Sequence, residues 1–473
     1  MRCKMASREP KLKLHNVVSI SMGLIVTTSC LVSLGRGAGS VGLAFIPAMV
    51  IACLLNMCTA ASIAELNSLI PNTTGGLAQF TLAGLGPLPT LVSMVGGYLI
   101  CNVLSTGVEA SIFSYAMAST IPLPIPSIVY ALAMTAVVTF ASLRGVDMFA
   151  KVQDVVAYLL MGSLIVMGVI GALGLGTGAQ VSQPPTAGEG FADLPGVVAV
   201  AFWLFIGSEY VVPVSSEVKD ARRNVPLGMM IGLSLILLMQ TVVVLGFRNY
   251  VPWGQLTESA APHLLYGQAL LGRPGRIWMA CVSVLAVIGS QNSTVNGLSR
   301  LCEGMAKMNM MPRVFARENG SGAPWAAVLF VSGLIAVFAF LSDGSSDAIG
   351  FLILVGSVFW MTSHILAHID LLVLRRRLPN APRAFKVPGG VALPLIGIAG
   401  TLFMILHISP DPAERNAIWL ACGAAFVVLS VYSAIWVKCK MRSPILKPVP
   451  IPKVLAMEND LFYAIRRRRG IWR

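Results

Sequence analysis

Residues 202–226 begin as an apolar membrane segment that contains an acidic side chain. The segment is interrupted at Ile206-Gly207-Ser208, and Glu209 follows at about the middle of the bilayer. An ionisable group at the centre of a spanning helix costs about 2.5–3.5 kcal/mol on insertion scales, so by default it marks a functional site. Non-helical backbone at this depth persists only where it is buried in protein or lines a water-filled cavity. A broken helix with a carboxylate at the break is typical of a secondary-transporter substrate site.

Two other apolar windows carry polar residues at their centres. The window at about 17–34 contains Thr27-Thr28-Ser29, and the window at about 88–119 contains the acid Glu109. Gly, Ser and Thr are also ordinary packing residues of membrane helices, and hydroxyls can bond carbonyls of their own helix. Because the window at 17–34 and the window at 195–214 are both interrupted near their middles, we favour a pair of breaks that share one site. Glu109 either selects a cationic group or makes a polar contact between helices.

The composition is that of a polytopic all-α membrane protein. The chain has 473 residues, of which 56% are hydrophobic and only 11% charged. A soluble globular chain carries roughly 25% charged residues. The nine cysteines show no CxxC or Cys/His spacing, so we predict neither a metal site nor a disulfide framework. No nucleophile–base constellation lies outside the apolar windows, so we do not expect an enzyme.

Twelve apolar windows of about 20 residues, the length that spans a bilayer, follow one another along the chain. Their approximate limits are 17–34, 41–63, 88–119, 126–143, 153–174, 195–214, 227–247, 277–299, 325–341, 348–373, 390–408 and 416–437. A tail at 1–16 precedes them and a basic tail at 438–473 follows. The start of the chain shows no cleavable signal.

The basic residues are distributed unevenly between the two sides of these windows. With the N-terminus inside, 29 of the 34 lysines and arginines lie on the inner side. Cytoplasmic loops of membrane proteins carry such an excess, so we expect both termini in the cytoplasm. The net charge of +14 therefore reflects topology and does not indicate a nucleic-acid partner. The basic run at 466–469 is either a solvated tail or a contact with anionic lipid.

Five sequence motifs, in order, resemble those of one transporter family. They are ASIAELNSLIPNTTGGLAQF, LRGVDMFAKVQDV, the FIGSE stretch with its charged exit, NGLSRLCEGMAKMNMMPRVFARENGSGAPW and LRRRLPNAPRAFKVPGG. Each is weak alone, but their order and spacing over residues 12–440 are specific. By these motifs the chain resembles the amino acid–polyamine–organocation superfamily of permeases and exchangers.

The resemblance implies a five-plus-five inverted repeat. Its first half would be residues 17–174 and its second half residues 195–373, with the windows of 390–437 outside the repeat. Spans one and six would be discontinuous around a central site. Transport would proceed by alternating access, in which spans three, four, eight and nine rock against spans one, two, six and seven.

The resemblance also implies site residues. In span one these are Thr27, Thr28, Ser29 and Cys30, although the family has a glycine-rich motif where this chain reads TTSC. Bare N–H groups at a half-helix start bind a carboxylate without a charged side chain. In span six the candidates are Trp203, Ile206, Gly207, Ser208 and Glu209. Trp203 would be an aromatic lid and Glu209 a charge- or proton-sensing group, the alternatives being packing and a structural hydrogen bond.

The remaining acids and histidines are predicted to have roles other than substrate binding. Glu65 and Glu217 are predicted as gate or structural carboxylates, paired with arginine or with backbone N–H groups. His364, His368 and Asp370 in span ten are interpreted as interfacial rather than as a proton relay.

The sequence thus predicts a secondary transporter for amino acids, with a lean to cationic ones, in the plasma membrane. Polyamine transport is one alternative, with Glu109 and Glu209 as two ammonium partners, and amino acid sensing without turnover is another. No cofactor is expected, and the coupling ion is left open between H⁺ and Na⁺. The loop 119–127 has no cysteine, so we expect no disulfide-linked heavy chain; the protein would be a monomer or a homodimer.

Overall fold

The computed structural model describes residues 11–70, 74–120, 124–188, 190–259, 261–342, 346–409 and 411–457. Pro71 of the second-span motif, part of the loop 119–127, most of the 1–16 tail and the basic run at 466–469 lie outside these residues. Within them the chain is helical, and the extended contact is a parallel bridge between Leu12 and Val218.

The first apolar window folds as two helices with a gap between them. They are α1 (Leu14–Gly23) and α2 (Thr28–Val41), and residues 24–27 are not helical. Thr27 is the N-cap of α2, and its hydroxyl accepts a hydrogen bond from the Cys30 N–H at 3.0 Å. A hydroxyl at this position replaces the carbonyl that the first turn of a helix lacks. The polar interruption in the sequence therefore marks the start of the second half-helix.

A short 3-10 turn at Gly42–Ala44 follows α2. Gly42 has φ +64°, a left-handed conformation that glycine adopts without a steric penalty. The helices that follow are α3 (Phe45–Leu69), α4 (Leu77–Gly84), α5 (Pro87–Leu91), α6 (Cys101–Thr120), α7 (Ile128–Leu143) and α8 (Val146–Ala172). A π-helical segment, Val92–Ile100, joins α5 to α6.

The sixth window is broken as well. α9 (Leu194–Trp203) ends in a turn at residues 204–207, and a 3-10 helix, Ser208–Glu217, continues from it. Gly207 has φ +127°, which residues with a Cβ rarely adopt. Pro213 lies inside the 3-10 segment and lacks the N–H that an α-helix requires. Both interruptions predicted from the sequence are thus breaks in the backbone.

The rest of the chain consists of long helices and short connecting ones. They are α10 (Ala221–Tyr250), α11 (Trp253–Glu258), α12 (Pro262–Leu271), α13 (Arg273–Lys307), α14 (Trp325–Ser342), α15 (Ser346–Arg377), α16 (Ala392–Leu406), α17 (Pro412–Trp436) and α18 (Ile451–Met457). α1 packs between α8 and α10, and α13 packs against α6, α7 and α8.

The helices identify an integral, multi-pass membrane protein. Among the described residues, nine helical stretches are long and apolar enough to cross a bilayer, and α7 and α16 are shorter apolar helices. One of the nine, Thr28–Leu69, has 42 residues and contains both α2 and α3. At 1.5 Å per residue it would be about 63 Å long if straight, about twice the hydrocarbon thickness, so its length is enough for two passes.

Buried polar side chains fix α13 at the centre of the bundle. Asn292 Nδ2 donates to Gln153 Oε1 of α8 at 3.0 Å, and Asn296 Nδ2 donates to Ser142 Oγ of α7 at 2.9 Å. Such bonds between helices add to packing in lipid, where the hydrophobic effect does not drive helix association. These contacts hold α7, α8 and α13 together as one wall beside the two breaks.

Candidate substrate-binding cavity

The two helix breaks lie against each other. A methyl group added at the Gly207 Cα would lie 3.2 Å from Leu24 Cδ2 and 3.3 Å from Ile25 Cγ1. A cavity of about 30 Å³ adjoins them, which is room for one or two water molecules. The breaks contribute Leu24, Ile25, Thr27, Ser29, Trp203 and Ile206 to its lining, and helices α6, α13 and α15 contribute Asn102, Ser105, Thr106, Glu109, Ser290 and Trp360.

Glu109 of α6 binds the start of α2. The Thr28 N–H donates to its Oε2 at 3.1 Å, and the Ser29 N–H donates to its Oε1 at 2.9 Å. The first N–H groups of a helix have no partner within the helix and form its positive pole, which favours an anion. Glu109, only 4% exposed, supplies that anion. The position at which the sequence predicted a substrate carboxylate therefore holds a carboxylate of the chain itself.

The four candidates of span one have different surroundings. Thr27 and Ser29 line the cavity, and their hydroxyl oxygens are 3.0 Å apart. Thr28 contributes its backbone N–H to Glu109. Cys30 is buried, and its Sγ accepts from Gln240 Nε2 of α10 at 3.7 Å. The structure thus brings two of the four side chains to the cavity.

Two tryptophans from different helices meet at the cavity. Trp203, at the end of α9, and Trp360 of α15 pack edge to face with ring centroids 6.0 Å apart. Trp203 is partly exposed, whereas Trp360 is 3% exposed. Together they present aromatic surface to anything held between the breaks, and such surface attracts apolar groups and cations.

Glu209 lies behind Trp360 rather than in the cavity lining. Its Oε1 accepts from Trp360 Nε1 at 2.9 Å and lies 2.8 Å from His364 Nε2. Trp360 and His364 are four residues apart on α15, so both project from one face. Tyr98 and Tyr210 complete the surroundings, with ring centroids 6.4 and 6.1 Å from that of Trp360. Glu209 therefore contacts the cavity through the Trp360 indole.

Sequence reasoning missed Trp360, Tyr98 and the polar residues of α6 other than Glu109. A tryptophan in an apolar window has no pattern that separates a site residue from a packing residue. The available signal was His364 one turn after Trp360, since a histidine in a spanning helix calls for a buried partner. The identity of that partner, Glu209, depends on a contact across 155 residues.

Glu65 lies in a buried ion cluster away from the cavity. Arg375 Nε donates to its Oε1 at 2.8 Å, and the Val387 N–H donates to its Oε2 at 2.7 Å. Arg383 Nε lies 3.2 Å from the same Oε1. This Glu65 cluster joins α3, the end of α15 and the segment that follows it.

Glu217 has an arginine partner as well. Arg300 of α13 places Nη2 2.9 Å from Glu217 Oε1 and Nη1 2.8 Å from Glu303 Oε2. The Glu217 carbonyl accepts from the Lys11 and Leu12 N–H groups, which attaches the first described residues to the exit of the sixth window. Both peripheral acids are thus paired with arginine; no contact tests a gating role.

His364, His368 and Asp370 are buried, with at most 1% exposure, and so are not interfacial in the sense of facing water. His368 lies 2.9 Å from Ser62 Oγ, and Asp370 Oδ2 accepts from Thr81 Oγ1 at 2.7 Å. Hydropathy locates a residue along a helix but does not show which face of the helix is covered, and no contact tests whether these residues lie near the membrane interface.

Comparisons with known proteins decide the family. Residues 12–435 match the amino acid permease family. The chain belongs to this family. Similar proteins include the branched-chain amino acid permease of Bacillus subtilis, 24% identical over 90% of this chain and 94% of that protein. The human cystine/glutamate transporter is 24% identical over 88% of this chain and 83% of that protein. The arginine/ornithine antiporter of Latilactobacillus sakei is 26% identical over 56% and 58%.

A solved structure shows the same fold. A mutant form of the manganese transporter of Eremococcus coleocola superposes with a TM-score of 0.59 at 15% identity, covering 90% of this permease and 94% of that chain. At this identity the likeness concerns the fold alone. Among the described residues of this permease, no group of three or more His, Cys, Asp or Glu could hold a metal ion. As a member of the amino acid permease family, the chain is a membrane transporter and not an enzyme.

Proposed function

We propose that this permease moves amino acids across the membrane by alternating access, with substrate held between the breaks of spans one and six. One observation carries the proposal: two half-helix ends face each other beside a cavity that two tryptophans and an acid line. Broken helices around a central site are the usual architecture of secondary transporters with internal repeats.

Twelve spans in a five-plus-five inverted repeat remain part of the proposal. The two breaks are five spans apart, an odd number, so the half that contains the first break and the half that contains the second have opposite topology. Residues 17–174 and 195–373 would be the two repeats. The polar contact of α13 with α7, which are spans eight and four, supports a scaffold of spans three, four, eight and nine.

Cationic amino acids are the favoured substrates within this proposal. The names of the relatives cover branched-chain, acidic and basic amino acids, so they do not choose between side-chain charges. The buried acid Glu109 lines the cavity and favours a cation there, and Glu209 lies behind the Trp360 indole of the same lining. The same two acids keep polyamines as a second candidate.

We propose proton coupling through Glu209. A carboxylate against an imidazole in a buried site can exchange a proton without moving its partners. We propose a plasma-membrane location with both termini in the cytoplasm, from the distribution of lysine and arginine.

Uptake into proteoliposomes tests the proposal. Radiolabelled arginine, leucine, glutamate and putrescine would be offered at two pH values, with and without a Na⁺ gradient. Saturable uptake of an amino acid supports transport, and its competition pattern identifies the substrate charge. Equilibrium binding without uptake would instead indicate a sensor.

A further inference from the structure

Every N–H group in the first turn of α2 has a partner from this chain. The Thr28 and Ser29 N–H groups bind Glu109, and the Cys30 N–H binds the Thr27 hydroxyl. The Leu31 N–H donates to the Thr27 carbonyl at 3.1 Å, which is the first bond within the helix. No amide of this turn is left for the carboxylate of a ligand.

Glu109 binds in the way a ligand carboxylate would. Each of its two oxygens accepts one of two consecutive amides, and its side chain reaches them from α6, some 80 residues away along the chain. It is also the only ionisable residue among those that line the cavity in the described structure. A second carboxylate placed beside it would therefore meet a like charge and no lining cation, which is costly in a buried site.

An ammonium group would meet the opposite conditions. Glu109 supplies a negative charge, and the Trp203 and Trp360 rings supply aromatic faces. Asn102 and Ser105 line the same wall of the cavity, one or two turns before Glu109 on α6. An ammonium offers three donors and no acceptor, which suits such a set of oxygens.

We propose that Glu109 determines specificity by occupying the carboxylate position, so that the cavity selects ligands with an ammonium group and disfavours a free α-carboxylate. The preferred ligands are amines that carry the side chain of an amino acid but no carboxylate. Amino acids whose carboxylate is neutralised belong to the same class. An ordinary amino acid enters only by displacing Glu109 from the Thr28 and Ser29 amides. This inference rests on the proposed function, since it takes this cavity as the place where substrate binds.

Matched ligand pairs that differ only in the carboxylate test the inference. Arginine and agmatine, lysine and cadaverine, and leucine and isopentylamine would be titrated onto the purified full-length protein in lipid nanodiscs. We expect the amine of each pair to bind at least tenfold more tightly. In Glu109→Gln the ratio should shift at least tenfold toward the amino acid, because the carboxamide NH₂ cannot accept an amide N–H and one amide is freed. Asp370→Asn, at a buried acid away from the cavity, is the control and should keep the wild-type ratio.

The outcomes separate this inference from the proposed function. A wild-type preference for the amino acid member in every pair overturns the inference, whether or not the variant folds. An unchanged ratio in a folded Glu109→Gln variant overturns it as well. Uptake of amino acids with no preference for amines retains the proposed function and overturns this inference alone. Neither binding nor uptake of any member overturns both.

Discussion

The buried Glu209 carboxylate contacts the His364 side chain rather than solvent, so removal of its charge should have a measurable effect. In Glu209→Gln the side chain keeps an oxygen that can accept from Trp360 or His364 but loses its charge and its capacity to bind a proton. We expect normal expression and an uptake rate that varies less than about twofold over the pH range in which the wild-type rate changes. The measurement is initial uptake rate against pH in proteoliposomes. A pH profile identical to that of the wild type would exclude Glu209 from coupling.

Trp203 is more exposed than Trp360, the other aromatic residue that lines the cavity. Its removal should therefore weaken binding more than it lowers stability. We expect Trp203→Ala to weaken substrate affinity at least several-fold, since a cation–aromatic contact is worth about 0.5–2 kcal/mol. Trp278→Ala is the matched control, because Trp278 is a 40% exposed residue of α13 outside the lining. Equal affinity in the two variants would assign Trp203 to packing.

At the residue scale the sequence predicted the chemistry of the site better than its contacts. Thr27, Ser29, Trp203, Ile206 and Glu109, which were all candidates from the sequence, line the cavity. The contact between the Glu109 carboxylate and the α2 amides could not be predicted. It depends on the distance between two helices and on a rotamer, and neither is encoded in hydropathy or spacing.

At the element scale Gly207 is the point at which the two breaks touch. Gly207→Ala would adopt φ +127° with a Cβ, and that Cβ would crowd Leu24 and Ile25 at 3.2–3.3 Å. Strained backbone of this kind costs about 1–3 kcal/mol, so we expect a lower thermal midpoint and slower uptake.

Gly162→Ala provides the control for that measurement. Gly162 lies within α8 at an exposed position, and no atom lies within 4 Å of an added Cβ. Alanine is the better helix former by about 1 kcal/mol, so its midpoint should be unchanged or higher. If Gly207→Ala behaved like Gly162→Ala, the break would tolerate a side chain and its geometry would not depend on glycine.

The ends of the helices were less predictable than their order along the chain. The window 277–299 corresponds to α13, which extends to Arg273–Lys307. Its last two turns are polar, but Arg300, Glu303 and Lys307 neutralise one another in buried ion pairs. A hydropathy scale scores each of these charged residues as unfavourable in a membrane helix. In the folded chain they form ion pairs, so the helix continues past the apolar window.

At the scale of the whole molecule, the Glu65 cluster joins parts that are far apart in sequence. Removal of one member of a buried ion pair costs about 3–5 kcal/mol because its partner stays buried and uncompensated. Glu65 is 1% exposed, so Glu65→Gln should lower the thermal midpoint of the detergent-solubilised protein by several degrees. Asp147→Asn removes the exposed pair with Lys11 and should change it little. Equal midpoints would show that the Glu65 cluster does not contribute to stability.

The number of membrane crossings between Arg276 and Lys447 decides whether these two residues lie on the same side of the membrane. Five helices, α13 to α17, separate Arg276 from Lys447, and both residues are exposed. An odd number of crossings places them on opposite sides, and the excess of basic residues places Lys447 inside. We therefore expect Arg276→Cys to react with a membrane-impermeant maleimide in intact cells and Lys447→Cys to react only after permeabilisation.

Native cysteines require a suitable background for this labelling. Cys281 and Cys439 are exposed, and Cys3 lies outside the described residues, so all three would first be replaced by serine. Labelling of both sites from the same side would mean an even number of crossings between them, and one of α13 to α17 would not span the membrane. α16 is the helix whose crossing is in question, since its 15 residues extend about 22 Å and the hydrocarbon layer is about 30 Å thick. The twelve-span arrangement therefore requires the bilayer to thin at α16 or its flanking residues to enter the membrane.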